Sequence, residues 1–228
     1  MIAIITFGFL ASLVLGCQGS LNASSPTIQL ITYPIDHAEG PSWDGRKNIL
    51  YYVDIHTGRV FSWNYDTEEI NYITLDGTVT PAVQAENPDI ILVGLNRSVV
   101  AVEWDGTNAI GNQEILATVA EQFNTSRFND GKADKEGRLW WGTMGAEDTS
   151  TGDLTPNNGV LYKITKENLG DPTVEIAPVN ISNGLAWNRA NDKFYYIDTP
   201  TLQVSTKRTI RVLFEFDWFR IESFRRGS

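Results

Sequence analysis

A pattern that recurs along the chain is the sequence feature that most constrains its fold. Gly40-Pro-Ser-Trp43-Asp44 is followed by Tyr51-Tyr52-Val53-Asp54, and Gly184-Leu-Ala-Trp187-Asn188 is followed by Tyr195-Tyr196-Ile197-Asp198. The Trp and the final Asp are eleven residues apart in both copies. Each copy is typical of one strand, a turn and a second strand that ends in Asp.

Two weaker copies of the pattern, at residues 131–143 and 79–93, indicate its period. The four copies begin about 40 to 50 residues apart, which is the length of one four-stranded propeller blade. Short runs rich in Val, Ile, Tyr, Phe and Trp alternate with turn residues, and no long segment has a helical apolar period. The sequence therefore predicts an all-β fold, a β-propeller with about four blades present. A β-sandwich would also contain short strands, but it would not repeat the sequence.

Composition excludes several functions. The 228 residues include 18 Lys plus Arg against 28 Asp plus Glu, a net charge of −10, with two His and one Cys. We expect no nucleic-acid partner, because phosphate contacts need clustered basic residues. A single Cys cannot form an internal disulfide or a thiolate zinc site. Any metal site in this chain is therefore expected to use oxygen ligands.

The N-terminal residues differ in composition from the predicted propeller. Residues 1–17 are almost wholly apolar, and the first charged residue is Asp36. The run is shorter than the roughly 20 residues of a membrane-spanning helix, and small residues follow it. We predict a signal peptide over residues 1–20, a secreted protein and no stable membrane insertion. An uncleaved anchor and lipidation at Cys17 are the alternatives. Four glycosylation sequons support a secreted glycoprotein: Asn22, Asn96, Asn124 and Asn180.

Polar residues stand directly before the glycines of the repeat. The inner strands of propeller blades line a central channel, so residues at equivalent blade positions converge in space. Singly, each of these residues could serve only in a turn. Jointly, one carboxylate and two side-chain amides at equivalent blade positions predict a hard-cation site built from oxygens. The residues concerned are Glu39, Asn129, Asp130 and Asn183.

Three motifs, in the same order, resemble those of the regucalcin, gluconolactonase and luciferin-regenerating enzyme family, also called the senescence marker protein family. They are residues 39–41 with 51–54, residues 127–132 with 137–144, and residues 181–185 with 194–198. The resemblance covers roughly residues 30 to 205. It implies a six-bladed type of propeller, of which a partial propeller domain over residues 27–205 would be present here.

The resemblance also implies a function. The family binds one divalent cation (calcium, zinc or manganese), and its members hydrolyse sugar lactones or bind calcium. Glu39 and Asn183 match its metal ligands, whereas Arg127, Asn129 and Glu147 match its substrate-contacting residues. We therefore expect a metal-dependent hydrolase of sugar lactones, in complete or incomplete form. The alternatives are a noncatalytic calcium-binding propeller and an inactive truncated isoform.

Simpler roles for individual residues stay open. Arg127 could pair with Glu121 or Asp130 at the surface, since exposed ion pairs are common. Glu147 could be a solvated loop carboxylate. His37 could share the face of Glu39, because residues two apart on a strand point the same way, or it could be an ordinary half-buried histidine.

The sequence departs from the family near its end. The family's third ligand, an Asp that also serves as general base, belongs after a Pro-Asp-Gly motif in a later blade, and no such motif occurs here. The catalytic base is therefore unassigned. Residues 206–228 form a divergent tail, and residues 207–228 carry six basic and three acidic side chains. We expect this tail to replace about two blades, with Asp198 or Asp217 as substitutes for the missing ligand only if the tail returns to the channel.

Overall fold

The computed structural model of the chain describes residues 28–107, 109–148 and 150–208. These ranges contain fifteen strands and one short 3₁₀ helix, Thr199–Thr201. The predicted signal peptide, the sequon at Asn22 and the tail beyond residue 208, including Asp217, lie outside the described residues. Within the described ranges, no helix is long and apolar enough to cross a membrane.

Four antiparallel sheets follow one another in chain order, and the strands inside each sheet are also in sequence order. The first sheet contains β1 (Ala38–Asp44), β2 (Ile49–Asp54), β3 (Arg59–Asn64) and β4 (Ile70–Thr74). The second contains β5 (Val79–Gln84), β6 (Ile90–Leu95), β7 (Ser98–Glu103) and β8 (Gln113–Thr118). The third contains β9 (Arg127–Ala133), β10 (Leu139–Met144), β11 (Gly159–Ile164) and β12 (Thr173–Val179). The fourth has three strands, β13 (Ser182–Trp187), β14 (Lys193–Asp198) and β15 (Gln203–Arg208).

The prediction of an all-β propeller with about four blades is confirmed. Each repeat copy forms the first two strands of one blade, which explains why the copies recur at the blade period. The last described strand ends at Arg208, three residues into the segment predicted as a divergent tail.

The hydrophobic core lies between consecutive sheets. Alternate residues of a strand face opposite sides, and β2 uses both of its sides. Tyr51 and Val53 pack with the second sheet, while Tyr52 packs on the other side and stacks on Phe61 with ring centroids 5.0 Å apart. Burial on both faces is why the repeated strands are continuously apolar rather than alternating.

The aspartate that ends each full repeat copy holds the start of the inner strand of its own blade. Asp54 is 2% exposed, and its carboxylate accepts hydrogen bonds from the backbone N–H groups of His37 (2.9 Å) and Asp36 (3.2 Å). Asp198 accepts the N–H of Ile181 at 2.9 Å in the same way. The repeated Asp therefore positions the residues that lead into Glu39 and Asn183.

Candidate metal and substrate site

All four inner strands, β1, β5, β9 and β13, are irregular near their first residues. The register shifts between Glu39 and Ser42, between Val79 and Ala82, opposite Gly142 and Thr143, and between Asn183 and Leu185. Bulges of this kind redirect side chains and are frequent beside functional sites. The four bulges therefore lie at the same end of the blades as the predicted site residues.

Two repeat glycines are explained by these bulges. Gly40 and Gly184 have φ angles of +59° and +49°, in the left-handed region that favours glycine. They directly follow Glu39 and Asn183, which occupy equivalent places opposite Val53 and Ile197. The repeat thus predicted correctly that these two polar residues are structurally equivalent.

Glu39 and Asp130 face a common cavity of about 450 Å³, lined by residues of β1, β5 and β9. The side chain of Glu39 is 50% exposed, and His37 Nε2 lies 3.8 Å from its Oε1, so His37 shares the face of Glu39. Burial raises the pKa of Glu39, and the negative charge of Asp130 raises it further, against the opposing effects of His37 and Arg127. Burial likewise raises the pKa of Asp130. Burial therefore disfavours the ionised form of both carboxylates in the cavity, and for Glu39 the charge of Asp130 adds to this effect.

Asp130 connects β9 to the neighbouring inner strand. Its Oδ1 accepts the N–H of Gly131 at 2.8 Å, and its Oδ2 accepts the N–H of Gly184 at 2.9 Å. Asn183, next to Gly184, donates from Nδ2 to Thr199 Oγ1 at 3.2 Å, and its Oδ1 accepts the N–H of Gly184 at 3.0 Å. Asp130 is thus bonded to β13, the strand that carries Asn183.

The three predicted substrate residues lie together at the same end of the channel. Arg127 is 14% exposed in its side chain, donates from Nη1 to Asn129 Oδ1 at 3.3 Å, and places Nη2 3.6 Å from Glu147 Oε2. Asn129 Nδ2 donates to the carbonyl of Ser182 in β13 at 3.0 Å. The ion pair of Arg127 is made with Glu147 rather than with Glu121 or Asp130. Glu147 is therefore a partner of the site rather than a wholly solvated carboxylate.

The donor atoms near the cavity suit a hard cation. Carboxylate oxygens of Glu39 and Asp130 and the amide oxygen of Asn183 are the ligand types that calcium and manganese prefer. In the described ranges, no three His, Cys, Asp or Glu side chains form a group that could hold a metal. A cation here would consequently be shared between two carboxylates and an amide. The link from Asp130 to β13 was not predicted, although its place before Gly131 in the repeat signalled its importance.

The fold has four propeller blades, with carboxylate and amide oxygens and a polar cluster at one end of the channel. These features are typical of one class, the β-propellers with a small-molecule or cation site near their axis. Comparison with known families identifies the member of that class. The family described as SMP-30/Gluconolactonase/LRE-like region matches residues 37–208, and the chain belongs to it.

Individual relatives agree with this assignment. Regucalcin from Sus scrofa is 35% identical over 169 residues, and regucalcin from Pongo abelii is 32% identical over 166 residues. Each alignment covers 73% of this chain and 53% of the relative, so the chain spans about half the length of the curated relatives it matches.

Solved structures show the same fold. A luciferin-regenerating enzyme superposes with a TM-score of 0.69 at 29% identity, covering 76% of this chain and 56% of that protein. A calcium-binding regucalcin from Agrobacterium tumefaciens has a TM-score of 0.66 at 18% identity, covering 78% of this chain and 55% of that protein. At 18% identity the second likeness supports the fold alone.

Proposed function

We propose that this chain is a metal-dependent hydrolase of sugar lactones that uses one divalent cation: calcium, zinc or manganese. Family membership supports a lactonase-type function. The observation that carries the proposal is a juxtaposition. The carboxylate of Glu39 faces the channel at the end where Arg127 contacts both Asn129 and Glu147.

Lactone hydrolysis adds water across a ring ester. The acyl C–O bond breaks, the acyl carbon gains a hydroxyl, and the released ring oxygen gains a proton. A bound divalent cation supplies Lewis acidity toward a carbonyl oxygen and toward water. Glu39 and Asn183 are the residues that would hold it, because their oxygens lie at equivalent bulges on two inner strands.

The cluster around Arg127 suits a polyhydroxylated ring. Arg127 offers donors, Glu147 offers acceptors, and their charged groups are 3.6 Å apart. Asn129 is fixed in orientation by Arg127 on one side and by the carbonyl of Ser182 on the other. The side chain of Glu147 is 35% exposed, so its carboxylate can accept a hydrogen bond from a hydroxyl of a substrate that enters from solution. We propose that these three residues orient the sugar.

Lactone turnover with added calcium, zinc or manganese tests the proposal. We expect cation-dependent hydrolysis by the unaltered chain and loss of rate in Glu39→Gln. Glu114→Gln, on the exposed outer strand β8, removes the same charge away from the channel and is the matched control. Equal rates for the unaltered chain and Glu39→Gln would overturn the role of Glu39.

Two other outcomes distinguish the alternatives. Calorimetric binding of the cation without any turnover would favour a noncatalytic calcium-binding propeller. A monomeric product that melts cooperatively would contradict an isoform that fails to fold.

Secretion is part of the same proposal, and the apolar N-terminal run supports it. Mass spectrometry of the product from secreting eukaryotic cells is expected to show a start near residue 20 and glycans at Asn96 and Asn124, both exposed. Asn180 is expected to stay unmodified, because its Nδ2 donates to Asp198 Oδ2 at 3.1 Å. A product that retains residues 1–17 would contradict cleavage.

A further inference from the structure

None of the salt bridges among the described residues includes Asp130. Its two oxygens accept hydrogen bonds from the neutral backbone N–H groups of Gly131 and Gly184. The basic residue that follows Asp130 most closely on β9 is Lys132, two positions further along, and it is exposed. Asp134, four residues further along the chain, does have an ion-pair partner: Arg138 Nη2 lies 2.6 Å from its Oδ2. A partly buried carboxylate without an ion-pair partner needs an explanation.

The position of Asp130 gives that explanation. It faces the same cavity as Glu39, and its Oδ2 is bonded to the residue that follows Asn183. Inner strand β9 contacts β13 on one side and β5 on the other, and β5 in turn contacts β1. Asp130 therefore lies near both predicted ligands, although 91 and 53 residues separate it from them in sequence.

We propose that Asp130 is the second carboxylate ligand of the cation site, alongside Glu39 and Asn183. The inference rests on the proposed function, since it concerns the same cation. Each oxygen of Asp130 accepts one backbone hydrogen bond and keeps a further lone pair for a metal. A hard cation between Glu39 and Asp130 neutralises two carboxylates that otherwise repel each other in one cavity.

A purely structural role for Asp130 makes a different prediction. If it only ties β9 to β13 through Gly184, its replacement lowers stability in the absence of metal and leaves calcium affinity unchanged. If it is a ligand, its replacement lowers calcium affinity and reduces the calcium-dependent rise in melting temperature. The two roles are separated by measuring melting in EDTA and in calcium on the same samples.

The experiment is calorimetric titration of the full chain with calcium chloride. Asp130→Asn is compared with Asp76→Asn, an exposed turn residue that serves as the matched control. We expect Asp130→Asn to lose at least about tenfold in calcium affinity, since even outer-sphere partners of metal sites are worth that much. Asp76→Asn is expected to bind calcium like the unaltered chain. Should Asp130→Asn fail to fold, Asp130→Ser, whose hydroxyl can accept one of the two N–H groups, replaces it.

The outcomes separate this inference from the proposed function. Unchanged calcium affinity in Asp130→Asn, with or without a lower melting temperature in EDTA, overturns the inference and leaves the lactonase proposal standing. Absence of calcium binding by the unaltered chain also overturns the inference. In that case lactone turnover, measured separately, decides whether the hydrolase proposal survives.

Discussion

Replacing Asp54 with Ala tests whether the repeated aspartate builds the start of the inner strand. The change removes a carboxylate that is 2% exposed and leaves the N–H groups of His37 and Asp36 without their acceptor. A hydrogen bond to a charged group contributes about 1.5–3 kcal/mol. Because residues 36 and 37 are exposed, water can replace part of each bond. We therefore expect a loss of about 3 kcal/mol of unfolding free energy, the lower end of the range of about 3–6 kcal/mol for two such bonds.

Thermal unfolding measures this loss. For a chain of this size, 1 kcal/mol corresponds to roughly 2–4 °C, so Asp54→Ala is expected to melt about 6–12 °C lower. Asp198→Ala removes the equivalent acceptor in the fourth blade and is expected to cost a similar amount. Asp66→Ala, in an exposed turn, is the control and is expected to change stability by less than about 0.5 kcal/mol.

The reasoning fails if Asp54→Ala loses less than about 1 kcal/mol, below the range of even one charged hydrogen bond. It also fails if Asp198→Ala is indistinguishable from the Asp66→Ala control, since the repeat would then have no common structural purpose.

Three further predictions concern the other anchors of the fold and site. Burial raises the pKa of Asp44, but hydrogen bonds from Arg46 lower it below its ordinary value. The stabilisation of the fold by ionised Asp44 is therefore present at neutral pH and lost in acid. Asp44→Asn is accordingly expected to cost about 2 kcal/mol at pH 7 and progressively less below about pH 4, as followed by urea unfolding. Gly184→Ala places a Cβ 2.8 Å from Ile197 Cδ1 at a φ of +49° and is expected to cost about 1–3 kcal/mol on melting, with an unchanged melt contradicting the bulge geometry. Arg127→Lys cannot reproduce the fork to Asn129 and Glu147 and is expected to raise KM for a sugar lactone about tenfold, whereas an unchanged KM would remove Arg127 from the substrate site.

Much of the fold could be predicted from the sequence, because a propeller repeats one local pattern. The repeat period placed the blades, and the strand runs predicted the absence of long helices. Equivalence of Glu39 and Asn183 followed from the glycines after them, which the bulges require. These are local properties, and each is encoded within a few residues.

The contacts inside the site could not be predicted in the same way. The hydrogen bond from Gly184 to Asp130 and the proximity of Glu147 to Arg127 join residues from different strands or from a loop. Such distances depend on the angle between neighbouring sheets and on the path of the loop that follows β10. A repeat reveals which positions are equivalent, but it contains no measure of the distance between blades.

The most direct test of the account is the rate of sugar-lactone hydrolysis by the full chain, measured in EDTA and after adding back calcium, zinc or manganese, for the unaltered chain and Glu39→Gln. We predict that the unaltered chain loses its activity in EDTA and recovers it with at least one of the cations. Glu39→Gln is predicted to remain at least about tenfold slower under the same conditions. Hydrolysis that persists in EDTA, or a Glu39→Gln rate equal to that of the unaltered chain, would contradict a cation site at the bulged end of the channel.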